Sequence, residues 1–192
     1  MNRRLAIAAV CLSLAAGLAL VGEQGYLALK ARYARHLIDG AYAAYMEDGR
    51  PHRPWSWADM HPVARLEVPR LRVERTILSG ASGASLAFGP GHIDGTARPN
   101  ADGNAVMAGH RDSWFEFLGD VRLGERLWLE THESRLAYEV TSRSVRSTWE
   151  GQEVLASLPG RPRTLTLVTC WPLDELLPGP DRLVVVAEAI GP

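Results

Sequence analysis

Three residues at the ends of apolar, strand-like segments have side chains suited to nucleophilic catalysis. Cys170 follows one such segment, His110 follows a second, and Arg182 begins a third. A free thiol has a pKa near 8.5, so a catalytic cysteine needs a base or a positive charge beside it. A histidine supplies the base, and a guanidinium stays charged and can stabilise a thiolate or an oxyanion. The three residue types predict a cysteine nucleophile with a histidine acid/base and an arginine.

Each of the three residues also has an ordinary structural explanation. A lone cysteine commonly fills a hydrophobic core, and a single histidine is commonly a satisfied structural residue. An arginine at a strand end is commonly an exposed charge. On position alone these alternatives stay open.

Metal binding is the other chemistry that histidine and cysteine support. The six histidines are scattered at positions 36, 52, 61, 92, 110 and 132, and no paired metal-ligand spacing joins them to each other or to a cysteine. We therefore predict no metal and no cofactor. A disulfide between Cys11 and Cys170 is not expected, since Cys11 lies in the apolar N-terminal run.

The segments that carry the three residues belong to a region of short extended runs beyond Val63. Apolar and charged residues alternate there, or β-branched residues cluster, and Gly, Pro, Asn and Asp separate the runs. The predicted strands lie within residues 64–78, with a turn at Pro69, and at Asn104–Ala108, Arg126–Glu130, Leu136–Ser142, Thr164–Thr169 and Arg182–Glu188, with short helical turns at Asp112–Gly119 and Gly151–Leu158. About seven or eight short strands predict a mainly β domain, either a closed barrel or a sandwich.

The chain before residue 63 has a different character. Arg3 and Arg4 precede an uncharged apolar run, Leu5–Gly22, which as a helix is about 27 Å long and close to the thickness of a bilayer core. We expect an uncleaved anchor with the N-terminus in the cytoplasm and the rest of the chain outside the inner membrane. A cleaved signal peptide is the alternative.

The predicted domain organisation has three parts. Residues 1–22 are the cytoplasmic tip and transmembrane anchor, residues 23–62 a juxtamembrane helix interrupted near Gly40 and then a linker, and residues 63–192 the catalytic domain. The charge balance of 21 Lys and Arg against 22 Asp and Glu argues against a nucleic-acid partner.

Several motifs resemble those of the sortases. Thr166–Cys170 has the sequence Thr-Leu-Val-Thr-Cys, similar to the sortase signature Thr-Leu-x-Thr-Cys. Ala108–Arg111 resembles the histidine motif of that family, residues 89–104 the segment that leads into it, and Asp181-Arg182 the arginine position. The order His, Cys, Arg also matches, and the resemblance covers roughly residues 63–190.

The resemblance implies an eight-stranded β-barrel with catalytic residues at strand ends. It implies that Cys170 is the nucleophile, His110 the general acid/base, and Arg182 a residue that positions substrate or stabilises the oxyanion. The flanking residues Thr169, Trp171 and Arg111 are then predicted to contact substrate. His92, in the lead-in segment, is not expected to be catalytic.

The implied reaction joins a secreted protein to an amine acceptor at the cell envelope. The cysteine cleaves a C-terminal Leu-Pro-x-Thr-Gly-like sorting signal between Thr and Gly, and the amine resolves the acyl-enzyme. The short chain and its single predicted anchor most resemble the sortases of Gram-negative bacteria.

Other functions are alternatives to transpeptidation of the sortase type. A hydrolytic cysteine peptidase could use the same residues, although papain-like enzymes place Cys before His in the chain. The peptidoglycan L,D-transpeptidases also use His and Cys, but their His-Gly-Cys clustering is missing here. A non-catalytic anchored binding domain would have a buried or unreactive Cys170.

Overall fold

The chain divides into two compact units, Met1–His36 and Leu37–Pro192. The computed structural model describes residues 3–147, 163–174 and 179–191, without the side chains of residues 4–10, 15, 16, 19 and 20. For much of the predicted anchor, Leu5–Gly22, the structure therefore does not describe the side chains. Among the residues that are described, no helix is both long enough and apolar enough to cross a membrane.

A single helix, α1 (Arg3–Asp48), precedes the β-domain. It continues through Gly40, so the predicted interruption there is wrong. A glycine within a helix costs only about 1 kcal/mol relative to alanine. Ile38 and Tyr42, on either side of it, are each 4% exposed, and Ile38 packs with Leu78 of the β-domain. That packing offsets the cost of the glycine.

Within the part of the chain that the structure describes, eight strands form one closed barrel, which confirms the mainly β fold and the eight-stranded barrel that the resemblance implied. The strands are β1 (Pro62–Val68), β2 (Val73–Ser79), β3 (Gly91–His92), β4 (Asn104–Ala108), β5 (Arg126–Glu130), β6 (Arg135–Ser147), β7 (Thr164–Cys170) and β8 (Asp181–Ile190). Their order around the barrel is β1-β2-β3-β4-β7-β8-β6-β5. The pairs β2–β3 and β4–β7 are parallel and the other pairs are antiparallel.

Short helical turns join some of the strands. Pro69 begins the 3-10 turn η1 (Pro69–Leu71) between β1 and β2, where its fixed φ suits a first helical position. The other two are α2 (Gly83–Leu86) and the 3-10 turn η2 (Glu116–Gly119), which falls within the predicted helical turn at Asp112–Gly119. The helical turn predicted at Gly151–Leu158 lies outside the described residues.

The barrel interior takes alternate residues of the central strands. Leu165 and Leu167 of β7, Leu183 of β8 and Met107 of β4 are at most 1% exposed and belong to one core cluster. Because side chains alternate between the two faces of a strand, the even-numbered residues of these three strands lie on the outer face. This alternation decides where the candidate catalytic side chains point.

Candidate active site

Cys170 and Arg182 lie opposite each other on the antiparallel strands β7 and β8. Both are partly exposed, as expected for side chains on the outer face at the end of the barrel. Directly opposed residues on one face have Cβ atoms roughly 4.5–5.5 Å apart. The sequence prediction that Arg182 lies near the cysteine is consistent with this register.

His110 follows β4, the strand on the other side of β7, by two residues. In the parallel pairing of β4 with β7, Ala108 is level with Val168, and the Gly109 amide donates to the Val168 carbonyl oxygen at 3.2 Å. Two residues further along the chain, His110 comes just after the end of β4, on the side of β7 away from Arg182 and beside the strand end that carries Cys170. His110 is exposed. The side chains therefore lie in the order His, Cys, Arg along the edges of three neighbouring strands.

Gly109 allows the chain to turn tightly after the histidine strand. A Cβ on Gly109 would lie 2.8 Å from the ring of Phe115, which is fully buried in the barrel core. The Phe115 amide in turn donates to the His110 carbonyl oxygen at 2.9 Å. We call residues 110–115 the histidine turn. A larger residue at position 109 would have to push away either the Phe115 ring or the histidine turn.

Two of the three predicted substrate contacts, Thr169 and Arg111, donate hydrogen bonds to backbone carbonyls. Thr169 is 2% exposed, and its Oγ1 donates to the Gly109 carbonyl oxygen at 2.8 Å. Arg111 is 9% exposed, and its Nη1 donates to the Pro172 carbonyl oxygen. These hydrogen bonds connect the two strand ends, and contact of Thr169 or Arg111 with a substrate stays a prediction.

Trp171, the third predicted substrate contact, is half-buried against the barrel core. Its amide donates to the Asp181 carbonyl oxygen at 3.0 Å, which extends the pairing of β7 and β8 by one residue. A Cβ on Gly179 would come within 2.8 Å of the Trp171 carbonyl oxygen. The residues that follow Cys170 are thus packed closely against the segment that leads into Arg182. A substrate contact by Trp171 stays a prediction.

The guanidinium of Arg182 is oriented by the backbone around it. Its Nη1 donates to the carbonyl oxygens of Asp181 and Gly179, at 2.8 and 3.2 Å. An arginine has five N–H donors, so the other N–H groups of the guanidinium can serve a ligand. The guanidinium is thus a fixed cation on the residue that pairs with Cys170, and such a cation suits the stabilisation of a thiolate or of an oxyanion.

The polar residues with shifted pKa values lie elsewhere and support the fold. Burial raises the pKa of Tyr138 to about 12, and its hydroxyl donates to Asn100 Oδ1 at 3.1 Å in the core. His92, which the sequence did not predict to be catalytic, donates from Nε2 to the Ala97 carbonyl oxygen at 2.8 Å. These side chains stabilise loops of the barrel.

Sequence reasoning missed the parts played by Pro172 and Phe115 beside the site. The dipeptide Trp171-Pro172 after the cysteine was visible as a strand end, and Gly109 as a small residue before the histidine. Neither signal shows that the Pro172 carbonyl oxygen accepts a hydrogen bond, or that the ring of Phe115 packs against Gly109. That information comes from the parallel pairing of β4 with β7.

Comparisons with known proteins agree with this architecture. The family model described as Sortase domain matches residues 66–190. Sortase D of Bacillus subtilis (strain 168) is 26% identical over 125 residues, which are 65% of this chain and 62% of that protein. The chain thus spans less than two thirds of that relative's length.

Solved structures of sortases are also similar. The Clostridium perfringens Sortase D5 transpeptidase matches with 27% identity and a TM-score of 0.60, covering 68% of this chain and 80% of that one. Sortase A from Corynebacterium diphtheriae matches with 26% identity and a TM-score of 0.63, covering 80% and 70%. These relatives give no support to the Gram-negative subtype predicted from the sequence.

Proposed function

Because the chain belongs to the sortase family, we propose that it is a cysteine transpeptidase with Cys170 as nucleophile, His110 as general acid/base and Arg182 as oxyanion-stabilising residue. The observation that carries the proposal is the meeting of the three residues at neighbouring strand ends, with Cys170 opposite Arg182 and His110 two residues past the end of the adjoining strand β4.

The first half-reaction acylates the cysteine. The Cys170 thiolate attacks the carbonyl carbon of the scissile Thr–Gly bond, and the carbonyl electrons move onto oxygen. Arg182 lies on the same face and donates to that oxyanion. When the tetrahedral intermediate collapses, the C–N bond breaks and protonated His110 gives its proton to the departing amine, leaving a thioester on Cys170.

The second half-reaction transfers the acyl group. A primary amine attacks the thioester carbonyl, and neutral His110 takes the proton that the amine loses. Collapse forms a new amide and returns the Cys170 thiolate beside protonated His110. Each proton taken in one half-reaction is given back in the other, so the enzyme is unchanged over the cycle.

The proposed substrate is a secreted protein with a Leu-Pro-x-Thr-Gly-like signal, and the proposed acceptor is an amine of the cell envelope. The support is the Thr166–Cys170 motif together with the family to which the chain belongs. An exposed His110 and a partly exposed Cys170 leave the reacting groups accessible from outside the barrel, as a protein substrate requires.

The test is an acyl-transfer assay with the full chain in mild detergent. A fluorogenic Leu-Pro-x-Thr-Gly peptide series is incubated with a small primary amine, and the products are identified by mass spectrometry. An amine-linked product that disappears in Cys170→Ala supports the proposal. Cleavage without an amine adduct favours a hydrolytic peptidase. No cleavage, together with a Cys170 thiol that resists alkylation in the folded protein, overturns the proposal.

We also propose that the barrel works outside the cytoplasmic membrane. The support is the uncharged run Leu5–Gly22 after Arg3 and Arg4. Protease added to spheroplasts would digest the barrel if this location is correct, and would leave it intact if the barrel is cytoplasmic.

A further inference from the structure

Two hydrogen bonds connect the residues that flank His110 with those that flank Cys170. Thr169, before the cysteine, donates from Oγ1 to the carbonyl oxygen of Gly109, before the histidine, at 2.8 Å. Arg111, after the histidine, donates from Nη1 to the carbonyl oxygen of Pro172. We call these two bonds the cross-strand bracket.

The two bonds of the bracket lie on opposite sides of the catalytic pair. Thr169 and Gly109 are within or next to the paired strands β7 and β4, where the register already limits their movement. Arg111 and Pro172 lie beyond the last paired residues of these strands, where no strand pairing between β4 and β7 continues. We call residues 171–174, which follow Cys170, the cysteine turn. The Arg111 bond therefore connects the histidine turn to the cysteine turn beyond the point where strand pairing connects β4 to β7.

Arginine suits this position for physical reasons. Its guanidinium is charged, and a hydrogen bond from a charged donor is shorter and stronger than one between neutral groups. At 9% exposure the side chain is buried beside the chain it holds, so the bond is protected from water. The planar guanidinium also fixes the direction of its N–H groups, which the rotatable ammonium of lysine does not.

We propose that Arg111 is a positioning residue for the reaction, which acts through the Pro172 carbonyl to hold His110 and Cys170 within proton-transfer reach. The inference rests on the proposed function, in which these two residues exchange a proton. It differs from substrate binding, because Arg111 is turned to the protein backbone. Loss of the bracket bond lets the two turns move apart, and a displacement of about 1 Å can cost up to a hundredfold in rate.

The test compares Arg111→Met and Arg111→Lys with a matched control, Arg143→Met. Arg143 is also an arginine that donates to backbone carbonyls, from Nε to Leu118 at 3.3 Å and from Nη2 to Gly119 at 3.0 Å. It connects β6 to η2 and is bonded to neither catalytic turn. All variants are made in the full chain with Cys11→Ser, so that Cys170 is the one thiol.

Two measurements are needed besides the unfolding midpoint in urea. The first is the rate of iodoacetamide alkylation of Cys170 from pH 5 to 10, which reports how His110 and Cys170 share a proton and needs no substrate. The second is kcat and KM for the peptide and amine. We expect Arg111→Met to shift the alkylation profile and to lower kcat at least about tenfold, with KM within about twofold. Arg111→Lys, which keeps a charged donor, should recover part of the parent's alkylation profile and part of its kcat.

The control separates positioning from general stability. Arg143→Met should lower the urea midpoint but leave the alkylation profile and kcat as in the parent. The inference is overturned if Arg111→Met loses only stability, as Arg143→Met does, or if it raises KM with kcat unchanged. If the parent forms no amine adduct, the proposed function fails. If Arg111→Met and the parent have the same alkylation profile, the positioning role of Arg111 is rejected, whatever the outcome for the proposed function.

Discussion

Cys170 and Arg182 form a non-hydrogen-bonded pair at the end of the β7–β8 ribbon. The Trp171 amide donates to the Asp181 carbonyl oxygen, so the pair before it, Cys170 with Arg182, is of the alternate, non-bonded kind. In such pairs the Cα atoms are about 4.5 Å apart, and the side chains are closer than in hydrogen-bonded pairs. The register of the sheet therefore makes Arg182 the direct cross-strand neighbour of Cys170.

This adjacency predicts different losses for the two residues. Cys170→Ala should abolish acyl transfer, because the proposed thioester forms on the sulfur of Cys170. Arg182→Ala should lower kcat by about a hundredfold, in the range seen on removing an oxyanion donor, and Arg182→Lys should recover part of that loss. Steady-state kinetics with the peptide series measures both. Arg126→Ala, at an exposed position on β5, is the control and should keep the parent rate. An Arg182→Ala enzyme with unchanged kcat would contradict the assignment.

The hydroxyl of Thr169 is predicted to matter for both stability and rate. Thr169→Val keeps the shape of the side chain but leaves the buried Gly109 carbonyl oxygen without this donor, so we expect a loss of about 1–3 kcal/mol in the free energy of unfolding. Thr166→Val is a matched control. Thr166 lies four residues before the cysteine, is 1% exposed and donates to Asn104 Oδ1 at 2.7 Å. Urea unfolding should show a loss in both variants, and only Thr169→Val should also lower kcat. Equal kcat in the two would contradict the prediction.

A methyl group at Gly109 is predicted to displace the histidine turn. The new Cβ would lie 2.8 Å from the Phe115 ring, and overpacking of this kind costs about 1–3 kcal/mol. Gly109→Ala should therefore lower both the urea midpoint and kcat, and the double variant Gly109→Ala with Phe115→Leu should recover part of kcat. Gly83→Ala is the control, because a Cβ there meets nothing within 4 Å. If Phe115→Leu gives no recovery, the contact with the ring is not the cause.

The sequence predicts the bounds of individual strands better than it predicts which strands pair with each other. Asn104–Ala108 and Arg126–Glu130 have the predicted bounds, because apolar residues between turn residues mark a strand locally. β3, with two residues, was not predicted, since so short a strand has no pattern of its own. β6 extends five residues beyond its predicted end, to Ser147, where pairing with β8 continues through polar residues.

The catalytic residue types were recognisable in the sequence, but their supporting contacts were not. His110, Cys170 and Arg182 were proposed from strand-end positions and from a family motif. The pairing of β4 with β7 joins segments about 60 residues apart, and no local periodicity encodes that partnership. The hydrogen bonds of Arg111 to Pro172 and of Thr169 to Gly109 depend on that long-range pairing, so the sequence alone does not predict them.

The end of α1 is predicted to be part of the stable β-domain. Ile38 is 4% exposed and clusters with Ala58, Met60 and Leu78, so Ile38→Ala should cost about 2–5 kcal/mol in the free energy of unfolding. Leu29→Ala, at a side chain that is 68% exposed, should change it by less than about 0.5 kcal/mol. Urea unfolding followed by tryptophan fluorescence measures both. A value for Ile38→Ala as small as that for Leu29→Ala would show that the helix end adds no stability.

His61 is predicted to make the barrel less stable in mild acid. Its ring is half-buried, with Nδ1 3.1 Å from Ser79 Oγ, and burial, then the charge of Arg53, lowers the pKa of His61 below its usual value. With the folded pKa below the unfolded value of about 6.5, the unfolded chain binds the proton more readily. The free energy of unfolding therefore falls as the pH drops through about 6.5 toward the lower folded pKa, and this contribution is constant above that window. His61→Gln should remove this part of the fall in urea midpoints measured from pH 8 to 5, whereas His36→Gln, at an exposed histidine, should retain it. A His61→Gln protein with the parent's pH dependence would show that the loss in acid comes from other groups.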